Sequence, residues 1–192
     1  MKIFIAVIVL IFNLQILTKA DDIRDFQIEG MSIGDSLLKY MNINEIKNAE
    51  KNKNSYPKSN YVVIFYNNNS EIYDGVQITY DSTDKSYIIE ALTGSLEYKN
   101  NYQNCKIKKK EISDEFKIIF KDSKIYENES EHAYSPGSVT VLTDFYPNSG
   151  GFARVSCNNW SKEAKKKYNW VDNLKVSLGS NEFLLYLRKG SL

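Results

Sequence analysis

The chain has 192 residues with 25 basic and 24 acidic side chains, so its net charge is only +1. This balance does not favour nucleic acid or an anionic membrane surface as a partner, because both attract proteins through an excess of positive charge. The length suits one domain with a substantial core, whereas two independent cores would be cramped.

The first 20 residues have the composition of a cleavable export signal. One lysine precedes an apolar run over residues 3–12, and small residues stand three and one positions before the expected cut after Ala20. An uncleaved anchor is the alternative, but Asn13 and Gln15 interrupt the run before it reaches membrane-spanning length. We therefore predict a signal peptide at 1–20 and a single exported domain at 21–192, periplasmic or secreted, with no membrane span after cleavage.

The expected mature domain begins with the pattern of a short strand that turns into a helix. Ser32, Asp35 or Ser36 can cap this helix, because a short oxygen-bearing side chain accepts hydrogen bonds from first-turn amides. A second helix signal follows, since Asn42 and Glu45 have the spacing of a capping box. The polar residues that come next predict a loop up to residue 60.

Strand signals then alternate with one helical pattern. From residue 101 to 122 the apolar residues recur at helical spacing and predict a long helix, while residues 161–168 form a lysine-rich connector. Strands are predicted from β-branched and aromatic runs between turn residues, at 61–66, 75–80, 87–92, 139–145, 152–157, 174–178 and 183–187. The predicted class is α+β, with an antiparallel sheet covered on one side by helices that include the long helix near 101–122.

The chain contains two cysteines, Cys105 and Cys157. Export would place both in a compartment where disulfides form and persist, so we predict that they pair. Two free buried thiols are the alternative. A redox-active pair is disfavoured, because the two cysteines lack the Cys-x-x-Cys spacing of such sites.

Residues 34–37 read GDSL, the letters that open an esterase and lipase family, and so resemble its nucleophile motif. The resemblance implies Ser36 as nucleophile and His132, the only histidine of the chain, as its base. The other glycine and Gly-x-Asn-Asp blocks of that family are missing, and its parallel α/β layout conflicts with the antiparallel pattern. We therefore expect a capping role here and predict no catalytic residue.

Two further groups of side chains are candidates for sites. Glu127, Glu129 and Glu131 with His132 are possible metal ligands, although a solvated acidic loop explains the same residues, and we predict no metal and no cofactor. Trp160 and Trp170 flank predicted turns and are the candidates for a binding patch, because aromatic rings supply rigid contact area with a polar handle.

Three stretches together resemble a group of small exported proteins of AT-rich marine bacteria that have no assigned activity. They are residues 26–40 (FQIEGMSIGDSLLKY), 105–120 (CKIKKKEISDEFKIIF) and 170–185 (WVDNLKVSLGSNEFLL). The first stretch also resembles BamE-like envelope modules of α+β build. Neither resemblance implies a catalytic residue.

We thus predict a non-enzymatic binding or envelope-associated module whose partner is an envelope protein or a small ligand. Two alternatives remain open at the level of the sequence. One is a GDSL-type hydrolase. The other is a secreted glycoprotein of an AT-rich eukaryote, in which the Asn-x-Ser sites at Asn68, Asn128 and Asn159 would carry glycans.

Overall fold

The structure is a computed structural model that describes residues 22–66, 70, 72–99, 101–132 and 135–189. The expected signal peptide lies outside the described residues. The bounds of the helices and strands in chain order are α1 Ile43–Ala49, β1 Asn54–Ser55, β2 Tyr61–Tyr66, β3 Gly75–Asp81, β4 Ala91–Glu97, α2 Tyr102–Ile119, β5 Lys124–Glu131, β6 Val139–Tyr146, β7 Phe152–Asn159, α3 Lys162–Tyr168, β8 Asn173–Gly179 and α4 Asn181–Lys189.

The described strands form one antiparallel sheet in the order β1-β2-β3-β4-β8-β7-β6-β5. Two four-stranded meanders meet along β4 and β8, which pair from Ala91 opposite Gly179 to Glu97 opposite Asn173. Helix α2 connects the end of the first meander to the outer edge of the second. The predicted α+β class with an antiparallel sheet is confirmed.

One face of the sheet carries the main core, and we call it the apolar face. Alternation along the strands places its residues on the same side, because successive side chains point to opposite faces. Helices α1 and α2 and the segment before α1 cover this face, with Met31, Leu37 and Ile46 completely buried against it. Its strand residues include Val62, Ile64, Val76, Ile78, Tyr80, Leu92, Phe145, Ala153, Val155, Leu174, Val176 and Leu178.

Helix α2 has 18 residues and is fixed to the second meander. Asn101 caps its first turn by accepting from the Asn104 amide. A disulfide joins Cys105 to Cys157 on β7, with the two Cα atoms 6.0 Å apart. The Lys109 ammonium, buried beneath the helix, donates to Thr143 Oγ1 on β6. The apolar stripe that the sequence predicted thus packs on β6 and β7, with one lysine inside it.

Helix α4 corrects two predictions. Residues 183–187, expected to be a strand, lie in this helix because the Ser180 hydroxyl accepts from the Phe183 amide at 3.0 Å and caps the first turn. The helix packs on the face opposite the main core, where Phe183 and Leu184 join Ala91 and Phe152 in a second apolar cluster. Helices therefore lie on both faces of the sheet, and the expectation of a one-sided cover is wrong.

The segment before α1 also departs from the expected strand and helix. Its strand is reduced to a single bridge between Ile28 and Met31, and its helix is one 3-10 turn, Leu37–Lys39, capped by Ser36. The predicted capping box is confirmed: the Asn42 side chain accepts from the Glu45 amide, and the Glu45 side chain accepts from the Asn42 amide.

Three other segments differ from the sequence-based expectation. Strand β4 begins at Ala91 rather than at 87, because Tyr87 takes a left-handed backbone conformation with φ of 51°. The lysine-rich connector contains helix α3. The acidic segment expected to be a loop is strand β5, which lies at the outer edge of the sheet, a position where charged side chains oppose further strand pairing.

Candidate ligand-binding face

The second face of the sheet is polar across its central strands. On β4, β6, β7 and β8, most alternate positions that point away from the main core carry hydroxyl, amide or charged side chains. We call this surface the polar face, and its residues are Thr93, Ser95, Glu97, Thr140, Asp144, Arg154, Ser156, Asn158, Asn173, Lys175 and Ser177. The carboxylate of Glu97 pairs with Lys99 at 2.9 Å.

Hydrogen bonds between neighbouring strands order the polar face. Asn158 lies at the centre of one row, where its side chain accepts from Thr140 Oγ1 and donates to Asn173 Oδ1, both at 2.9 Å. In another row Thr93 Oγ1 donates to Ser177 Oγ at 2.9 Å. Thr93, Asn173 and Ser177 remain partly exposed, so these prearranged polar groups can meet a ligand.

An ion pair holds one part of this face. Arg154 donates to both carboxylate oxygens of Asp144, at 2.5 and 2.7 Å, and the Tyr146 hydroxyl donates to the same carboxylate at 3.1 Å. Asp144 is only 2% exposed. Hydrogen bonding to Asp144 raises the pKa of Arg154, and the guanidinium and the carboxylate form a two-pronged ion pair.

Lys175 occupies the row between the asparagines and this ion pair. Ser95 and Ser156 stand directly opposite it on the two flanking strands. Lys175 is half-buried, and within the described part of the chain no hydrogen bond or ion pair joins its ammonium to another residue. Burial lowers its pKa, and no carboxylate contributes to the shift. Lys175 is therefore a cationic side chain of the polar face with no carboxylate partner among the described residues, and burial disfavours its charged form.

Four rings border one end of the polar face, and we call them the aromatic lip. The Trp160 ring lies 4.8 Å from that of His132 and 4.4 Å from that of Trp170, and Tyr168 stacks on Trp170 at 4.7 Å. The tryptophan candidates from the sequence are thus in contact with each other. The sequence did not indicate that His132 joins them.

A buried carboxylate fixes the aromatic lip to the sheet. Asp172 accepts from the Trp160 amide at 2.8 Å and from Lys165 Nζ on α3 at 2.7 Å. The Trp160 Nε1 atom is buried and has no hydrogen-bond acceptor among the described residues. Trp170, in contrast, is 37% exposed and offers part of its ring to solvent.

Lys175 is linked electrostatically to the aromatic lip. Burial and then the positive charge of Lys175 lower the pKa of His132 below its ordinary value of 6.5. His132 is therefore mostly neutral at pH 7.

Helix α4 closes the opposite end of the polar face. The Phe183 ring lies 5.1 Å from the rings of both Tyr56 and Tyr61, and Tyr186 lies 5.2 Å from Tyr61. The Ser180 hydroxyl donates to the carboxylate of Glu90 at the same end. The polar residues thus lie between two aromatic groups.

The structure does not bring the esterase candidates together. Ser36 Oγ donates to the Ser86 carbonyl at 2.7 Å and accepts from the Leu38 amide, as the capping interpretation predicts. Ser36 forms a bridge with Ile88 just before β4, whereas His132 follows β5, four strands away. Four strand spacings correspond to roughly 19 Å, far beyond hydrogen-bond reach.

The glutamates considered as metal ligands lie along an exposed strand. Alternation places Glu127, Glu129 and Glu131 on one face of β5 and His132 on the other. Lys117 of α2 forms an ion pair with Glu127 at 2.8 Å. Over the described ranges, no group of three or more histidine, cysteine, aspartate or glutamate side chains has a geometry able to hold a metal ion.

The glycosylation candidates have different surroundings. Asn128 lies on the exposed edge strand, and its side chain donates to Ser130 Oγ at 3.2 Å. Asn159 is the last residue of β7, directly precedes Trp160 and is half-buried. Asn68 lies outside the described residues.

Lys175 was missed by sequence reasoning, although a signal was present. The alternation in Asn173–Gly179 and Phe152–Asn159 indicates strands with one polar face each. Only the pairing of β7 with β8 joins those polar positions into one surface.

No helix in the described part of the chain has both the length and the apolar composition that crossing a membrane requires. No family model, no curated protein and no solved structure matches the chain.

Proposed function

We propose that this protein is a non-enzymatic binding module of the cell envelope or the exterior, and that it holds a small ligand on the polar face of its sheet. Its export is inferred from the composition of residues 1–20, and the disulfide between Cys105 and Cys157 is consistent with an oxidising compartment.

One observation carries the proposal. Short polar side chains that are already ordered by hydrogen bonds between strands are partly exposed at Thr93, Asn173 and Ser177, on the face that a stack of aromatic rings borders. Ligand sites commonly combine aromatic contact area with a few fixed polar groups that orient the ligand. Because the polar groups are held by neighbouring strands, a ligand would lose little affinity to ordering the site.

The aromatic lip provides a built-in reporter for the test. Trp160 and Trp170 are the two tryptophans of the chain, so intrinsic tryptophan fluorescence observes the lip alone. We would titrate the exported domain, residues 21–192, with benzoate, benzamide and methyl glucoside. Binding would be followed by fluorescence and by ¹H–¹⁵N NMR.

We expect at least one probe to give saturable fluorescence changes, with NMR shifts concentrated on β4, β7, β8 and the aromatic lip. Trp170→Ala should weaken binding of that probe by about tenfold, since stacking on an aromatic ring contributes about 1–3 kcal/mol. Tyr126→Ala is the matched control, because Tyr126 is an exposed ring on β5, outside the aromatic lip. Shifts scattered over the surface, or equal losses in both variants, would contradict the proposal.

A further inference from the structure

We propose that the ligand of the polar face is a small organic carboxylate whose negative charge binds Lys175 and whose ring contacts the aromatic lip. This inference rests on the proposed function and adds the chemical class of the ligand. It follows from how charge is distributed on the polar face.

The other half-buried cations near this site have carboxylate partners. Arg154 pairs with Asp144, and Lys165 pairs with Asp172 at 2.7 Å. Lys175 has no such partner within the described ranges. An ammonium withdrawn from water without a counter-charge is unfavourable, so the site gains free energy when an anion arrives.

The groups around Lys175 suit a carboxylate. Ser95 and Ser156 lie opposite it on the two flanking strands. Ser95 is partly exposed and its hydroxyl can donate to an anionic oxygen, whereas Ser156 is only 5% exposed. The Ser95 hydroxyl and the Lys175 ammonium can each donate to one oxygen of a carboxylate.

The aromatic lip defines the rest of the ligand. Along β7, Ser156 stands opposite Lys175 and Trp160 follows four residues later, about 13 Å along the strand direction, and Trp160 contacts Trp170. An anion bound at Lys175 would therefore extend toward the exposed ring of Trp170. A planar or ring-shaped body stacks favourably on such a surface.

Benzoate and its neutral isostere benzamide test the charge requirement. We expect benzoate to bind the exported domain saturably and benzamide to bind at least about tenfold more weakly, because a hydrogen bond to a charged group is stronger than a neutral one. Lys175→Gln should remove that preference and Lys175→Arg should retain it. Lys124→Gln is the matched control, because Lys124 is an exposed lysine on the same face at the sheet edge.

A second measurement uses the wild-type protein and does not depend on the folding of any variant. Bound benzoate would place a negative charge near His132, so saturation with benzoate should raise the pKa of His132, followed by NMR of its imidazole protons. Benzamide should leave that pKa unchanged.

The outcomes separate the two proposals. If benzamide binds the polar face as well as benzoate does, and Lys175→Gln changes nothing, the carboxylate assignment is overturned while the binding function stands. If none of the probes perturbs the face or the fluorescence, both proposals fail. Benzoate binding that depends on Lys175 and raises the pKa of His132 supports both.

Discussion

Removing the disulfide between α2 and β7 should destabilise the protein strongly. The bond closes a loop between cysteines 52 positions apart, which on the chain-entropy model contributes about 4 kcal/mol at 25 °C. Both half-cystines are completely buried, so Cys105→Ala with Cys157→Ala avoids placing new hydroxyls in the core. The bond also fixes one turn of α2 on the sheet, and its loss should loosen that contact.

Urea denaturation of a protein comprising residues 21–192 measures this effect. With a slope of about 2 kcal/mol per M, a loss of about 4 kcal/mol would lower the unfolding midpoint by about 2 M. Reduction of the wild type with dithiothreitol should give a similar decrease, and dithiothreitol should leave the double variant unaffected. A loss below about 1 kcal/mol would refute the argument from loop closure, because the unfolded chain would then be little constrained by the bond.

Three further predictions concern the polar face and the packing of the sheet. Lys175→Gln should raise the pKa of His132 toward 6.5, because it removes a positive charge that disfavours the imidazolium. NMR titration of this histidine, the only one in the chain, measures the pKa. An unchanged pKa would contradict an electrostatic effect of Lys175 on His132. Asp144→Asn should lower the free energy of unfolding by about 2 kcal/mol, because it removes the negative charge that pairs with Arg154 on β7. A loss near zero in chemical denaturation would show that water stabilises Arg154 in the variant as well as Asp144 does in the wild type. Gly94→Ala should lower the free energy of unfolding by about 2 kcal/mol, because the new Cβ would lie 2.5 Å from the Tyr73 ring. A midpoint of thermal unfolding equal to that of the wild type would mean that the ring moves aside freely.

The pH dependence of stability has a definite sign for His132. Its folded-state pKa lies below the unfolded value of about 6.5, so the unfolded state binds more protons as the pH falls through that region. Stability from this group is fully present above pH 6.5 and declines as the pH falls toward the folded pKa. His132→Gln should flatten that part of the profile.

Local patterns were sufficient for most of the secondary structure. The runs that became β2, β3, β6, β7 and β8 alternate or carry β-branched residues, and the apolar spacing of α2 is helical. Strand β5 was missed because its residues are almost all polar, and an edge strand with exposed faces has no hydrophobic alternation to detect. Residues 183–187 form a helix because of the Ser180 cap and the packing of Phe183 against tyrosines from distant parts of the chain.

The candidate site was less accessible to sequence reasoning. Trp160 and Trp170 were identified as possible binding residues, but their contact with each other and with His132 depends on how the end of β5, the end of β7 and the segment before β8 converge. Lys175 stands in an ordinary alternating strand pattern, which did not distinguish it from the other polar positions of that strand. Its environment is defined by partners on β4 and β7 that are distant in the chain.

The sequence by itself determined the balanced charge, the expectation of export, the α+β class and the local caps, because these depend on composition and on neighbours a few residues apart. Only the tertiary structure decided the joining of two meanders through β4 and β8, the presence of helices on both faces and the assembly of the polar face. Those features depend on which strands pair, and strand pairing is set by packing over the whole chain rather than by any local pattern.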